Sequence, residues 1–211
     1  MKKLLLIALF VCSAFSAMAD EPNYFFAEKV IVSDLPAGPT EWHVFGTLPT
    51  GNTTDLVCRA SITYDDGSIF TIGRYMSQNV VYMYVHNIAW NVAPPKEGFP
   101  FMDVAEFAVY KDRRNEPKGS HPIGSGKWTF GMADKNSIVI DGIEPNDMYN
   151  ILAKSNGMRL VMPGTINNVY INGYGIMIAR RMAACFARAA SLMNAKAQSS
   201  FKSPKKDDGG I

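Results

Sequence analysis

The hydrophobic period of this chain changes for good near Tyr174, and that change is the strongest constraint on its fold. From Val30 to Met162 the apolar residues come in short β-prone runs punctuated by Gly, Pro, Asn and Asp. From Tyr174 to about Ala195 they recur at helical spacing (Met182, Cys185, Phe186, Ala189, Met193) in an Ala-rich segment with Arg180, Arg181, Arg188 and Lys196 between them. A run of strands followed by one long helix is the pattern of an α+β domain. The expected architecture is an antiparallel β-sheet or sandwich, with a short helix and a long C-terminal helix packed on it.

The individual runs sharpen this. Val30–Val32 and Trp42–Phe45 are short strands separated by the breaker Pro36-Ala37-Gly38-Pro39. Between Leu56 and Tyr64 the alternation sends Leu56, Cys58, Ala60 and Ile62 one way and Arg59, Ser61 and Thr63 the other. Asp65-Asp66-Gly67 then predicts a hairpin turn into a return strand, Ser68 to Tyr75. Val80 to His86 is the strongest strand pattern, almost wholly β-branched or aromatic. Further strands are expected at Val104–Tyr110, Lys127–Met132, Ser137–Ile140 and Met158–Met162, with Asp141-Gly142 as a turn. Asn91–Pro100 and Lys111–Ser125 read as loops. Pro145 suits the first turn of a helix ending near Lys154, with Met148, Ile151 and Leu152 on its inner side.

The first nineteen residues carry a different message. Lys2-Lys3, the apolar run Leu4–Val11 and Ala17-Met18-Ala19 have the layout of a secretory leader cut before Asp20. The expected organisation is a signal peptide at 1–19, one domain at 20–197 and a disordered polar tail at 198–211. Val11 before Cys12 is a poor fit to a lipoprotein signal. No segment approaches the roughly 20 apolar residues that span a bilayer, so the mature chain is expected to have no transmembrane segment. Lys plus Arg number 21 and Asp plus Glu 19, and loss of Lys2 and Lys3 makes the two equal. A balanced chain gives no reason to expect nucleic acid as a partner. Cleavage leaves two cysteines, Cys58 and Cys185. In an oxidising periplasmic or secreted setting a disulfide between them is favoured over two buried free thiols.

Trp42, Cys58, Asp65-Asp66-Gly67 and the small-residue turn Ile171-Asn172-Gly173-Tyr174-Gly175 leading to Cys185 form a recurring layout. Over about Glu41 to Phe186 the chain resembles exported bacterial proteins of the invasion-associated locus B group. The resemblance implies a periplasmic or secreted β-rich domain with its two cysteines bridged, and implies no catalytic site. Tyr174 and Gly175 depart from it, standing where the group has Ser or Ala at the helix start. The Lys111–Ser125 loop and the Lys-rich tail are additions to it.

The residues offer no catalytic motif. His43, His86 and His121 lack the local spacing of a metal site, and no metal or other cofactor is expected. Gly124-Ser125-Gly126-Lys127 fails as a phosphate loop, because His121 occupies the first Gly position and Trp128 follows the lysine. There is no Gly-x-Ser-x-Gly elbow. Asp65, Asp66, Asp103 and Glu106 are the acids a glycosidase-like pair would draw on. An aromatic-rich region has more to offer: Tyr75, Tyr82, Tyr84, Trp90, Phe99 and Phe101 surround a Pro/Gly loop, and such residues are enriched at interface cores. Tyr82 and Tyr84 share one strand face, which is either a surface patch or a second packed face. The expected function is an exported, non-enzymatic protein that binds another protein or a cell-envelope component through Tyr82, Tyr84, Trp90, Phe99 and Phe101. The alternatives are a periplasmic hydrolase or small-ligand protein with a site assembled from distant residues, and an inhibitor or chaperone-like accessory of one partner.

Overall fold

A computed structural model describes residues 23–33, 40–48, 55–78, 80–92, 102–111, 121–163 and 168–201. The leader, Phe99, Phe101, most of both expected loops and the end of the tail lie outside them. Ten strands form one sheet: β1 (Tyr24–Val32), β2 (Thr40–Thr47), β3 (Val57–Thr63), β4 (Ile69–Tyr75), β5 (Val81–His86), β6 (Met102–Tyr110), β7 (Gly124–Asp134), β8 (Ser137–Ile143), β9 (Gly157–Val161) and β10 (Val169–Asn172). The spatial order is β1-β2-β3-β4-β5-β8-β7-β6-β9-β10. Every pairing is antiparallel. Helix α1 (Pro145–Lys154) links β8 to β9, and α2 (Ile176–Phe201) closes the chain.

The hairpin between β3 and β4 forms as the alternation dictates. Gly67 N–H donates to the Tyr64 carbonyl, and Ser68 N–H donates to the Asp66 carboxylate at 2.8 Å. Leu56, Cys58, Ala60 and Ile62 are all buried. Ala60 and Ile62 face the main core with Trp42, Val44, Ile72, Met83, Val85, Phe130, Ile140 and Leu160, and Leu56 and Cys58 belong to the satellite cluster around the cysteines. Pro145 begins α1, and Met148 and Leu152 are its buried residues.

Four local expectations change. Asp141-Gly142 is not a turn but lies inside β8, where the register against β5 slips between Val81 and Met83. Gly142 has φ +78°, so it accepts the left-handed backbone of a bulge and the strand continues to Ile143. Gly124 and Ser125, expected in a loop, begin β7 and pair with Val109 and Ala108. β10 is a strand of only four residues between two Asn/Gly-rich stretches, short enough for the turn signal to hide it. Helix α2 also runs on to Phe201, past the expected end near Ala195. Ala195, Ala197 and Gln198 are good helix formers, and Pro204 is the next residue that cannot continue a helix.

The sheet is open by backbone pairing but folds back on itself. β2 and β10 are eight strand steps apart, which in a flat sheet is about 38 Å at roughly 4.8 Å per step. Yet the Trp42 indole N–H donates to the Gly173 carbonyl at 2.7 Å, and Thr40 Oγ1 donates to the same oxygen at 3.0 Å. Tyr64 at the end of β3 donates to the Asn172 carbonyl and accepts from the Asn172 N–H, both at 3.0 Å. The concave side so formed holds the core, and α2 packs there against β1, β2, β3 and α1. Cys58 and Cys185 form a disulfide with Cα atoms 6.0 Å apart, and both residues are fully buried. Arg181 adds an ion pair to Glu28 on β1 at 3.1 Å, and the Arg74 guanidinium lies 5.1 Å from the Phe186 ring centroid. Among the described residues no helix is long and apolar enough to cross a membrane.

Candidate functional site

The convex side of the sheet is where chemistry collects. Because side chains alternate, the residues that leave the core face of β1 to β5 and β8 must share this second face. It carries Lys29 and Ile31; Glu41, His43 and Phe45; Val57, Arg59 and Ser61; Thr71, Gly73 and Tyr75; Tyr82, Tyr84 and His86; and Ser137 and Val139. A second hydrophobic cluster, separate from the main core, forms here from Val57, Tyr75, Tyr82, Tyr84 and Val139.

Its centre is one cross-strand row. Arg59 on β3 pairs with Gly73 on β4, and Gly73 pairs with Tyr82 on β5. The Tyr82 ring reaches across the middle strand: a Cβ built on Gly73 would lie 2.2 Å from Tyr82 Cζ. The missing side chain of Gly73 is therefore what lets Tyr82 pass. Arg59 Nε donates to the Tyr82 hydroxyl at 2.8 Å. Tyr75 stands beside this pair, its ring centroid 5.5 Å from that of Tyr82 at a 34° tilt. Burial pushes the Tyr75 hydroxyl up to about 12, with Tyr82 and, more weakly, Asp141 acting in the same direction and Arg59 opposing them.

Next along the face, Ser137 Oγ lies 3.0 Å from the Tyr84 hydroxyl and 2.9 Å from His86 Nδ1, joining residues 51 positions apart in the chain. This is the one Ser–His contact among the hydrogen bonds of the described residues, and it is the arrangement that a site assembled from distant residues would use. Two features disfavour it as a nucleophile and base. Ser137 is 0 % exposed. Among the described residues no carboxylate bonds the other ring nitrogen of His86, the partner that would orient the imidazole as a base. Ser61 and Thr71 complete the polar band with hydroxyls 2.8 Å apart.

The face opens toward the sheet edge. On β1 the large side chains Tyr24 and Ile31 are 51 % and 64 % exposed. Tyr24 meets half-buried Phe45 edge-on, with centroids 5.8 Å apart. Glu41 bridges Lys29 at 2.9 Å and His43 at 3.0 Å. The Lys29 hydrogen bond and charge, aided by His43, hold the Glu41 carboxyl below its ordinary value. Phe45 pairs directly with Arg59, so the exposed edge and the Arg59 row are continuous.

The residues expected to form a binding patch sit differently. Tyr82, Tyr84 and Trp90 are 2 %, 6 % and 3 % exposed. Tyr82 and Tyr84 are packed in the second cluster, so both faces of β5 are buried. Trp90 belongs to the main core, its carbonyl accepting from the Asn136 amide. Strand alternation correctly put the two tyrosines on one face, but that face is packed, and the exposed large side chains include Tyr24 and Ile31 on β1 instead. Tyr24 and Ile31 were missed because Tyr24 precedes the strand as read from sequence, and exposure leaves no mark on an edge strand's composition.

The other candidates scatter. His43 is on β2, His86 at the end of β5 and His121 exposed ahead of β7. Asp65 and Asp66 occupy the hairpin turn, and Glu106 pairs with Lys127 at 3.0 Å. Among the described residues no three His, Cys, Asp or Glu side chains are grouped to hold a metal ion. The glycines of Gly124-Ser125-Gly126 serve packing: the Phe107 ring lies over Gly126 and stacks on Trp128, with centroids 3.7 Å apart. No protein-family model, no curated protein and no solved structure matches the chain.

Proposed function

We propose that this chain is an exported, non-enzymatic protein that binds another protein or a cell-envelope component through the β1–β2 end of the convex face. The observation that carries the reading is the exposed length of β1, with Tyr24 against half-buried Phe45 at one end and Ile31 beside the Lys29–Glu41–His43 charges at the other, on a sheet pinned by a buried disulfide. Apolar anchors within a charged, solvated rim are the anatomy of a modest protein interface, and a rigid scaffold lowers the entropy lost on binding. The leader-like first nineteen residues and the Cys58–Cys185 disulfide both favour an oxidising compartment. The likeness to the invasion-associated locus B group points the same way.

Two measurements test this. Intact mass after alkylation should begin at Asp20 and show no free thiol; two alkylated cysteines would remove the compartment argument. A photo-crosslinker at Ile31 should give a discrete adduct in envelope fractions, and Tyr24→Ala should abolish it while changing stability by less than about 0.5 kcal/mol, as surface substitutions do. An adduct indifferent to Tyr24→Ala would refute this surface.

A further inference from the structure

Arg59 is a half-buried cation without a described carboxylate partner. The groups that act on it are two phenols, Tyr82 and Tyr75. Asp141 acts on Tyr75 but is not among the groups acting on Arg59, and Glu41 is already engaged by Lys29 and His43. Neutral hydroxyls satisfy hydrogen-bond geometry without neutralising the charge, and a cation drawn out of water is costly until an anion meets it. Two phenol oxygens also cannot saturate the five N–H donors of a guanidinium. None of its nitrogens is among the sealed, unpartnered polar atoms of the described fold, so the donors beyond the Tyr82 bond either have a partner or reach solvent.

We propose that Arg59, clamped by Tyr82 and flanked by Tyr75, is an anion-recognition point that receives a carboxylate of the protein partner. Nε is held by Tyr82 and Tyr75 is a second phenol partner, but the terminal nitrogens carry four N–H groups between them, and one from each forms the planar fork that matches the two oxygens of a carboxylate. One cation in a half-buried aromatic setting balances a single negative charge, whereas a phosphate dianion would bring in a charge that nothing described on this side compensates. Phe45 and Tyr75 supply the apolar walls, and the Lys29–Glu41–His43 group toward β1 carries its own carboxylate. The site deepens the binding reading above and rests on it, since Arg59 pairs directly with half-buried Phe45, against which exposed Tyr24 packs.

The test titrates the purified protein, with arginine side chains ¹⁵N-labelled, with sodium acetate, using sodium chloride and sodium phosphate at matched ionic strength as separate arms. Acetate should shift the Arg59 Nε–H signal saturably and chloride should not. Arg59→Gln should weaken acetate binding by about tenfold or more, the loss of a charge-assisted pair, as read from the neighbouring backbone amides. Tyr82→Phe keeps the cation and releases Nε, so it should bind acetate at least as well as the native chain. That variant keeps the proposal testable should Arg59→Gln fail to fold. No saturable shift in the native protein, or unchanged binding in Arg59→Gln, would overturn the site and leave Arg59 a strut between strands. Tighter binding of phosphate than of acetate would overturn the choice of carboxylate. Acetate binding without any Ile31 adduct would sink the partner reading and spare the anion site; an Ile31 adduct that survives Arg59→Gln undiminished would do the reverse.

Discussion

Removing the Cys58–Cys185 bond is the sharpest perturbation available. The bond closes a loop with a sequence separation of 127. On the chain-entropy relation that loop removes about 16–17 cal/mol/K from the denatured state, or about 5 kcal/mol at 25 °C. Both sulfurs sit in a fully buried cluster with Leu56 and Ala189, where a polar replacement would add its own penalty, so Cys58→Ala/Cys185→Ala is the cleaner variant. For a domain of this size 1 kcal/mol displaces the melting temperature by about 2–4 °C, so the expected fall is about 10–20 °C. Urea denaturation adds a second readout. An uncrosslinked denatured chain exposes more surface, so the slope against urea should rise as stability falls. A double variant within about 1 kcal/mol of the native protein, with an unchanged slope, would refute the entropic account.

Other outcomes follow from single contacts. Gly73→Ala should cost about 1–3 kcal/mol by pushing the Tyr82 ring off β4, and the cost should shrink in a Tyr82→Ala background; equal costs in both would refute the row as described. Trp42→Phe removes the indole donor to Gly173 but leaves Thr40 on that carbonyl, so a loss of about 1–3 kcal/mol in urea is expected, and no loss would dismiss the seam as a stabilising element. Burial raises Tyr75 to about 12 and lifts Tyr64 well above its ordinary 10.0. The folded chain thus keeps protons that the unfolded chain sheds from about pH 10, so this stability is complete below that pH and declines as pH rises beyond it. Tyrosinate absorbance should show at least two phenols titrating late and together with loss of structure; titration of all tyrosines near pH 10 in a folded chain would contradict the burial.

Much of the fold was legible because it rests on local rules. The β3–β4 hairpin follows from alternation and Asp65-Asp66-Gly67, α1 from Pro145 and its apolar spacing, and the disulfide from two cysteines and a leader. The misreadings share one cause, since each depended on a neighbour that the local sequence does not name. Asp141-Gly142 looks like a turn until β5 is placed beside it and the bulge absorbs the extra residue. β10 gains its identity from pairing with β9. The site was less legible still. Tyr82 and Tyr84 share a face by simple alternation, but the Arg59–Gly73–Tyr82 row requires the register of three strands, and no spacing in the chain reveals it. Coverage is likewise a global property, which is why Trp90 reads as surface and sits in the core.

The ties that fold the sheet back have a consequence in time. Trp42 waits for Gly173, 131 residues later, and Tyr64 waits for Asn172, 108 residues later. Strands β1 to β5 pair with their sequence neighbours and can assemble as the chain emerges, but the Trp42 indole on β2 lacks its Gly173 acceptor until the far end of the sheet exists. At ordinary synthesis rates of about 5–20 residues per second, that interval is roughly 7–26 s. A chain halted anywhere short of Gly173 therefore holds a half-built sheet with its concave side open to water. Completion of this protein is a matter of waiting for the last strand and helix, and the Cys58–Cys185 bond, joining that helix to β3, can be made only once the wait is over.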